Sequence, residues 1–294
     1  MRQSECFKAI RYANTRCEEL TREEKYQAFQ ALHHRPEVFI IPNPWSAGSA
    51  KILTALGFEA LATTSAGYAF DAGLPDSPLA LTREAILANA QSIVEATDLP
   101  VSADLQNGFG PAPAACAETV RLASQAGLAG GSIEDSSGES DEPIYDFQLA
   151  VERVAAAAEA AHATHFLLTA RAENFLCGHP DLGDTIRRLQ AFAEAGADVL
   201  YAPGLPGLEA IREICASVSK PVNVLMGLKG ATYSVEQLAA AGVKRISVGG
   251  SLARAALGAF IRAAREIKEA GTFTYAQDAI PHADASGYMR SKVP

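Results

Sequence analysis

The chain has 294 residues, of which 48% are hydrophobic and 20% charged, with a formal net charge of −9. That is enough apolar material for a large core, and the wrong sign of charge for a nucleic-acid or anionic-membrane partner. Five cysteines (Cys6, Cys17, Cys116, Cys177, Cys215) are widely spaced and form no CxxC pair. They point to a reduced, cytoplasmic setting, and no apolar run of ~18 residues offers a membrane span.

In chain order, residues 1–35 are polar and helix-favouring, and Thr21-Arg-Glu-Glu24 reads as a capping box ahead of a helix to about His33. From Glu37 a repeat begins. An apolar run at 38–41 ends at Pro42-Asn43-Pro44, residues 47–56 have helical periodicity, Gly57 closes that helix and 60–64 is the next strand. The phrase helix, glycine, strand returns at Gly127, Gly196 and Gly242, each glycine suiting the left-handed residue past a helix C-terminus. Strands are expected at 38–41, 60–64, 100–104, 130–134, 166–170, 198–202, 221–226 and 244–248. Helices are expected at 47–56, 82–96, 113–126, 147–163, 182–195, 206–218, 235–241 and 251–269.

Eight strand–helix units with continuously apolar strands predict a parallel sheet buried on both faces. The expected fold is therefore α/β, a single (β/α)8 barrel over 36–270, with a helical extension at 1–35 and a tail at 271–294 that lacks clear periodicity. A doubly wound sheet would want G-x-G-x-x-G after an early strand, and none occurs in that context.

Such a barrel gathers its chemistry at the C-terminal strand ends. The clearest is 101–110, an apolar run entered after Pro100 that stops on Asp104 and breaks into a turn with Gly108 and Gly110. Taken alone, Asp104 reads better as the cap of a turn or of the next helix. The other strand ends, however, bring Asn43; Ser65, Ala66 and Gly67, followed by Asp71 and Asp76; Gln106 and Asn107; Glu134 and Asp135; Arg171 and Glu173; Tyr201; Asn223; and Gly249-Gly250. Carboxylates and amides with one arginine, and no histidine or cysteine ligand, suit Mg²⁺ or Mn²⁺ rather than zinc. Arg171 would grip a carboxylate or phosphate as a fork.

Other residues read more plainly. Asp71 and Asp135 suit turns or caps, and His33, His34, His162 and His165 suit packing or the surface. Cys177 would need a lowered pKa to act as a nucleophile. His179 lacks a partner in sequence, and Gly249-Gly250-Ser251 serves a turn as well as it would a phosphate.

Pro42-Asn43-Pro44-Trp45-Ser46-Ala47-Gly48-Ser49-Ala50, Thr63-Thr64-Ser65-Ala66-Gly67, Ala103-Asp104 with Gly108-Phe109-Gly110, Ile133-Glu134-Asp135 and Ala170-Arg171-Ala172-Glu173 together resemble the isocitrate lyase/phosphoenolpyruvate mutase superfamily, in order from about 37 to 265. The resemblance implies a Mg²⁺-binding barrel acting on small 2-oxo or 2-hydroxy acids through an enolate-like species. It also implies a homo-oligomer, dimer or tetramer, exchanging its C-terminal helix. By position, Asp104 corresponds to the direct metal ligand, with Asp76, Glu134 and Gln106 in the outer shell. Ser65, Ala66, Gly67, Asn43, Asn223 and Arg171 would hold substrate, and Arg171, Glu134 and Asp76 would carry catalysis.

Two positions depart from the pattern. Gln106 stands where much of the family has a second aspartate, and 136–143 reads Ser-Ser-Gly-Glu-Ser-Asp-Glu-Pro where the lyases carry Lys-Lys-Cys-Gly-His. The expected reaction is C–C cleavage of a small carboxylic acid, with decarboxylation of an oxaloacetate-like acid or P–C chemistry as alternatives. A barrel that only binds a metabolite is the reading from outside the enzyme class.

Overall fold

The helices start where short polar side chains can take up unpaired N–H groups. In the computed structural model, which describes residues 20–77, 80–230 and 232–290, Thr21 and Glu24 form the capping box of α1 (Arg22–His34). Ser46 caps α2 (Ala47–Ala55), Thr64 α3 (Ser65–Asp71) and Thr82 α4 (Arg83–Val94). Pro113 opens α5 (Pro113–Gln125); Asp146 caps α6 (Phe147–Ala163), Asp181 α7 (Leu182–Glu194) and Ser234 α9 (Val235–Ala240). α8 (Leu208–Ser217) and α10 (Ser251–Ala270) follow glycines. The expected left-handed glycines are present, with φ of 84° at Gly57, 88° at Gly127, 107° at Gly196 and 92° at Gly242.

Eight parallel strands follow these turns: β1 (Phe39–Ile41), β2 (Leu61–Ala62), β3 (Val101–Asp104), β4 (Gly130–Glu134), β5 (Leu167–Arg171), β6 (Val199–Tyr201), β7 (Val222–Leu225) and β8 (Arg245–Ser247). They run in the order β1-β8-β7-β6-β5-β4-β3-β2. The remaining seam, β1 to β2, is bridged just past β1 by Ala62 N–H donating to Pro42 O at 3.0 Å. The (β/α)8 architecture expected from the repeat is the architecture observed.

Three features differ from the expectations. The strands are not uniformly apolar: Ser102, Thr169, Asn223, Arg245 and Ser247 are buried polar residues within them. The segment after β2 is not open loop but the short helix α3. The tail is helical, with a 3-10 turn at Thr274–Gln277 and α11 (His282–Arg290), and α11 lies against α2, where Lys51 Nζ donates to Met289 O at 2.9 Å. Weak periodicity hid that helix because none of its residues is buried.

α1 closes the floor of the barrel. Phe29 and Leu32 bury against Phe39, Ile41, Ala60, Ala129 and Leu167, and Phe29 alone contributes about 2–3 kcal/mol by leaving water. Gly130 makes this fit, since a Cβ there would stand 2.9 Å from Phe29 Cε1. Beside it, buried His33 receives the edges of Phe29 and Phe39 and bonds through Nδ1 to Phe29 O at 2.8 Å. Among the described residues no helix is long and apolar enough to cross a membrane.

Candidate active site

Parallel neighbours in register point to the same face. Glu134 pairs with Arg171, Arg171 with Tyr201, Tyr201 with Asn223, Asn223 with Arg245 and Arg245 with Phe39. That row winds from the C-terminal rim at β4 to the floor at β8. It bounds a cavity of about 550 Å³ whose lining also includes Asn43, Ser65, Ala66, Asp76, Asp104 and Gln106. Every predicted site residue except Gly67 therefore lines one space.

At the rim, Arg171 is the hub. Its Nη1 lies 3.1 Å from Asp104 Oδ1 and 3.1 Å from Glu134 Oε2, and its Nη2 lies 2.7 Å from Glu173 Oε1. The guanidinium also stands 5.1 Å from the Tyr201 ring centre. Asp104 is fixed on its other oxygen by the Ser65 hydroxyl at 2.7 Å and the Ser65 amide at 3.3 Å. Three acids share one guanidinium here, and Asp76 faces the same cavity from the turn beyond α3. Burial pushes the Glu134 carboxyl up to about 8, outweighing the attraction of Arg171. Partial burial and then the charge of Asp104 push Asp76 up. Arg171 is held well above its ordinary value by Glu134, Glu173 and Asp104, against the cost of burial.

The substrate cradle expected at 65–67 is only partly available. Ser65 N–H goes to Asp104, and Gly67 N–H goes to Thr64 Oγ1 at 3.2 Å. Ala66 N–H, at the second position of α3, has no partner among the described residues and lies on the cavity wall. Gly67 is required instead by packing, because a Cβ there would meet Thr64 Cγ2 at 2.6 Å.

Asn43 is drawn into the seam. Its Nδ2 donates to Thr63 O at 3.0 Å, and its Oδ1 accepts from Val248 and Gly249 amides at 2.8 and 2.9 Å. One amide of the glycine pair at 249–250 is thereby spent. Asn223 links Ser247 and Arg245, at 3.0 and 2.9 Å.

Asp135 is neither a turn residue nor a cap. It is buried in an ion pair with Arg188 at 3.1 Å, accepts Glu173 N–H at 2.8 Å, and is pushed up to about 6 by burial. Cys177 is pushed up to about 11, again by burial first, which keeps the thiol protonated. His179 is exposed on the loop after β5 and does not line the cavity.

Segment 136–145 forms a small hairpin, with Ser136 bridging Ile144 and Ser137 N–H donating to Pro143 O at 3.0 Å. Sequence reasoning missed Arg245 and left Glu173 without a role. Glu173 was visible only as a carboxylate two residues past the strand-end arginine.

Whether a divalent cation fits can be judged from the donors. The rim offers only hard oxygens, and its acids outnumber its one guanidinium. Gln106, held at φ 48°, has a buried Oε1 with no hydrogen-bond partner among the described residues. Among the described residues, no three His, Cys, Asp or Glu side chains are grouped to hold a metal by themselves. The donor set thus suits a hard ion that keeps most of its waters.

Fold and rim define a (β/α)8 enzyme of the carbon–carbon lyase and mutase class. More closely, the chain belongs to the phosphoenolpyruvate phosphomutase family, whose model matches residues 29–268, within the phosphoenolpyruvate mutase/isocitrate lyase superfamily. A crystal structure from Burkholderia cenocepacia described as a lyase/mutase is 55% identical, with a TM-score of 0.90, covering 92% of this chain and 98% of that one. The 2-methylisocitrate lyase of Vibrio cholerae is 29% identical over 237 residues, 76% of this chain and 75% of its own. A phosphonopyruvate hydrolase solved with oxalate and Mg²⁺ shares the fold at a TM-score of 0.81 and 21% identity, covering 90% of this chain and 94% of that one.

Proposed function

We propose that this chain is a Mg²⁺-dependent lyase that cleaves a C–C bond in a small 2-hydroxy or 2-oxo carboxylic acid. The observation that supports this most is the convergence of Asp104 and Glu134 on one nitrogen of Arg171 at the cavity rim. Asp104 would hold the ion directly, with Glu134, Asp76 and Gln106 reaching it through water. When bound, Mg²⁺ would supply a Lewis acid for the negative charge that builds on a carbonyl oxygen as the bond breaks.

The chain's own groups do the rest. Arg171, aimed by Glu173, grips the substrate carboxylate, and the Ala66 amide donates to it from the start of α3. Asn43 and Asn223 hold the wall in shape. Glu134, pushed up to about 8 by burial, is the group that can hold or release a proton facing the cavity near neutral pH, and burial and the charge of Asp104 push Asp76 in the same direction.

A second reading, decarboxylation of an oxaloacetate-like acid or P–C bond chemistry, is favoured by one observation. The hairpin has no cysteine, and the nearby Cys177 thiol is held protonated.

The assembly proposed is a homo-oligomer. α10 buries only Ala253 and leaves Leu257, Phe260 and Ile261 exposed, a face suited to a second copy and to helix exchange. The setting proposed is the cytoplasm.

The test is incubation with oxaloacetate, 2-methylisocitrate and phosphonopyruvate, with Mg²⁺ and with chelator. Metal-dependent turnover of one of them, with oxalate as a competitive inhibitor, is expected. Turnover of none, together with no oxalate binding, would leave a barrel that is not this enzyme.

A further inference from the structure

We infer that Arg245 forms a second, anion-binding subsite inside the barrel, below the rim, and that the substrate carries at its far end another anionic group that reaches it. The inference rests on the rim reading above for the position of the substrate's head.

Barrel interiors are ordinarily filled by branched apolar side chains. Here the floor instead holds a guanidinium only 6% exposed. Its Nε donates to Asn223 Oδ1 at 2.9 Å and its Nη2 to Thr169 Oγ1 at 3.0 Å, while Nη1 lies 3.3 Å from His33 Nε2. A guanidinium has five N–H donors, and the three so placed end on neutral acceptors. Among the described residues no carboxylate pairs with Arg245, although four acids crowd the rim around Arg171. Burying a cation without a counter-charge is costly. The cost is such that burial lowers Arg245 to about 10.

The geometry gives this charge access to a ligand. Arg245 lines the same cavity as Asp104 and Arg171. Its partner Thr169 precedes Arg171 by two residues on β5, so the two guanidinium sites differ in depth by roughly 7 Å along the strand. Ser132, Ser247 and Tyr201 line the same cavity, beside apolar Ile41, Ala62 and Leu225. The rim is acidic and suits a cation, so an anionic tail is repelled from it and drawn down toward Arg245. A monoacid held at Arg171 would leave the lower cavity and its charge unused.

The test compares two acids of equal length in the intact protein saturated with Mg²⁺: 2-oxoglutarate, and 2-oxopentanoate, which has a methyl in place of the distal carboxylate. Calorimetry should show the wild-type protein binding the diacid at least about tenfold more tightly, the scale of one charge-assisted contact. Arg245→Met should bring the two within about twofold, and Arg245→Lys should keep part of the preference. Equal affinity in the wild type, binding of neither acid, or a preference surviving in Arg245→Met would overturn the subsite. Because the wild-type comparison needs no variant, a misfolded Arg245→Met does not rescue the idea. Oxalate, too short to reach the floor, reports on the rim separately: its failure to bind would sink the rim reading, while the paired acids still decide the fate of Arg245.

Discussion

Arg171 Nη1 stands 3.1 Å from Asp104 Oδ1, on the inner face of the rim where both side chains are less than one-fifth exposed. Removing the guanidinium would leave Asp104, Glu134 and Glu173 facing one another without a counter-charge. Arg171→Met is therefore expected to cost about 3–5 kcal/mol of stability, the range for breaking a buried pair from one side. Oxalate affinity should be lost with it. Arg171→Lys should keep most of the stability and lose the fork-shaped grip. Urea unfolding and calorimetry on the two variants check both statements.

Asp104 should separate metal binding from folding. Asp104→Ala removes one of three acids around Arg171, so the fold should survive with a change of less than about 2 kcal/mol. The response of the melting temperature to Mg²⁺, expected in the wild type by mass action, should vanish. A variant that still answers to Mg²⁺ would remove Asp104 from the role of direct ligand.

Acid sensitivity should trace in part to His33. Burial first, then the charge of Arg245, lowers its pKa from 6.5 to about 3. The unfolded chain therefore takes up a proton below about 6.5 that the folded chain refuses until about 3, so stability falls as pH drops through that window. By linkage the loss between pH 7 and pH 5 is about 2 kcal/mol from this one group. Urea midpoints of the wild type and His33→Gln at pH 7 and pH 5 should show a smaller acid loss in the variant.

Gly67 is held to glycine by neighbours on two other elements. A Cβ would sit 2.6 Å from Thr64 Cγ2, 3.1 Å from Trp45 Cβ and 3.3 Å from Ala253 Cβ. Gly67→Ala should cost about 1–3 kcal/mol and weaken oxalate binding by shifting the start of α3. Adding Thr64→Ser, which deletes the closest methyl and keeps the capping oxygen, should recover at least half of the loss.

The outer face of α10 should report assembly. Phe260 is 70% exposed and neighbours Leu257 and Ile261, which are also exposed. Leu257→Glu with Phe260→Glu should lower the mass seen by light scattering to that of one chain. An unchanged mass would move the interface elsewhere.

The sequence by itself determined the local grammar of this protein. Thr21, Ser46, Thr82 and Ser234 start helices because their side chains satisfy N–H groups within three residues. Gly57, Gly127, Gly196 and Gly242 end them because only glycine enters the left-handed region without cost. Those signals lie within a few residues of one another, so eight strand–helix units, and the acid at the end of β3, could be read before any fold was known.

Tertiary structure alone decided which polar residues shared a space. A barrel strand is covered on both faces, so the period of two does not reveal which face looks inward, and Arg245 read like any edge residue of an apolar run. Its partners, Asn223, Thr169 and His33, lie 22, 76 and 212 residues away. The same holds for Asn43: closure of the ring brings the amides of Val248 and Gly249 onto its side chain, 205 and 206 residues away. Charges and amides find their partners across the barrel, and that distance cannot be measured along the chain.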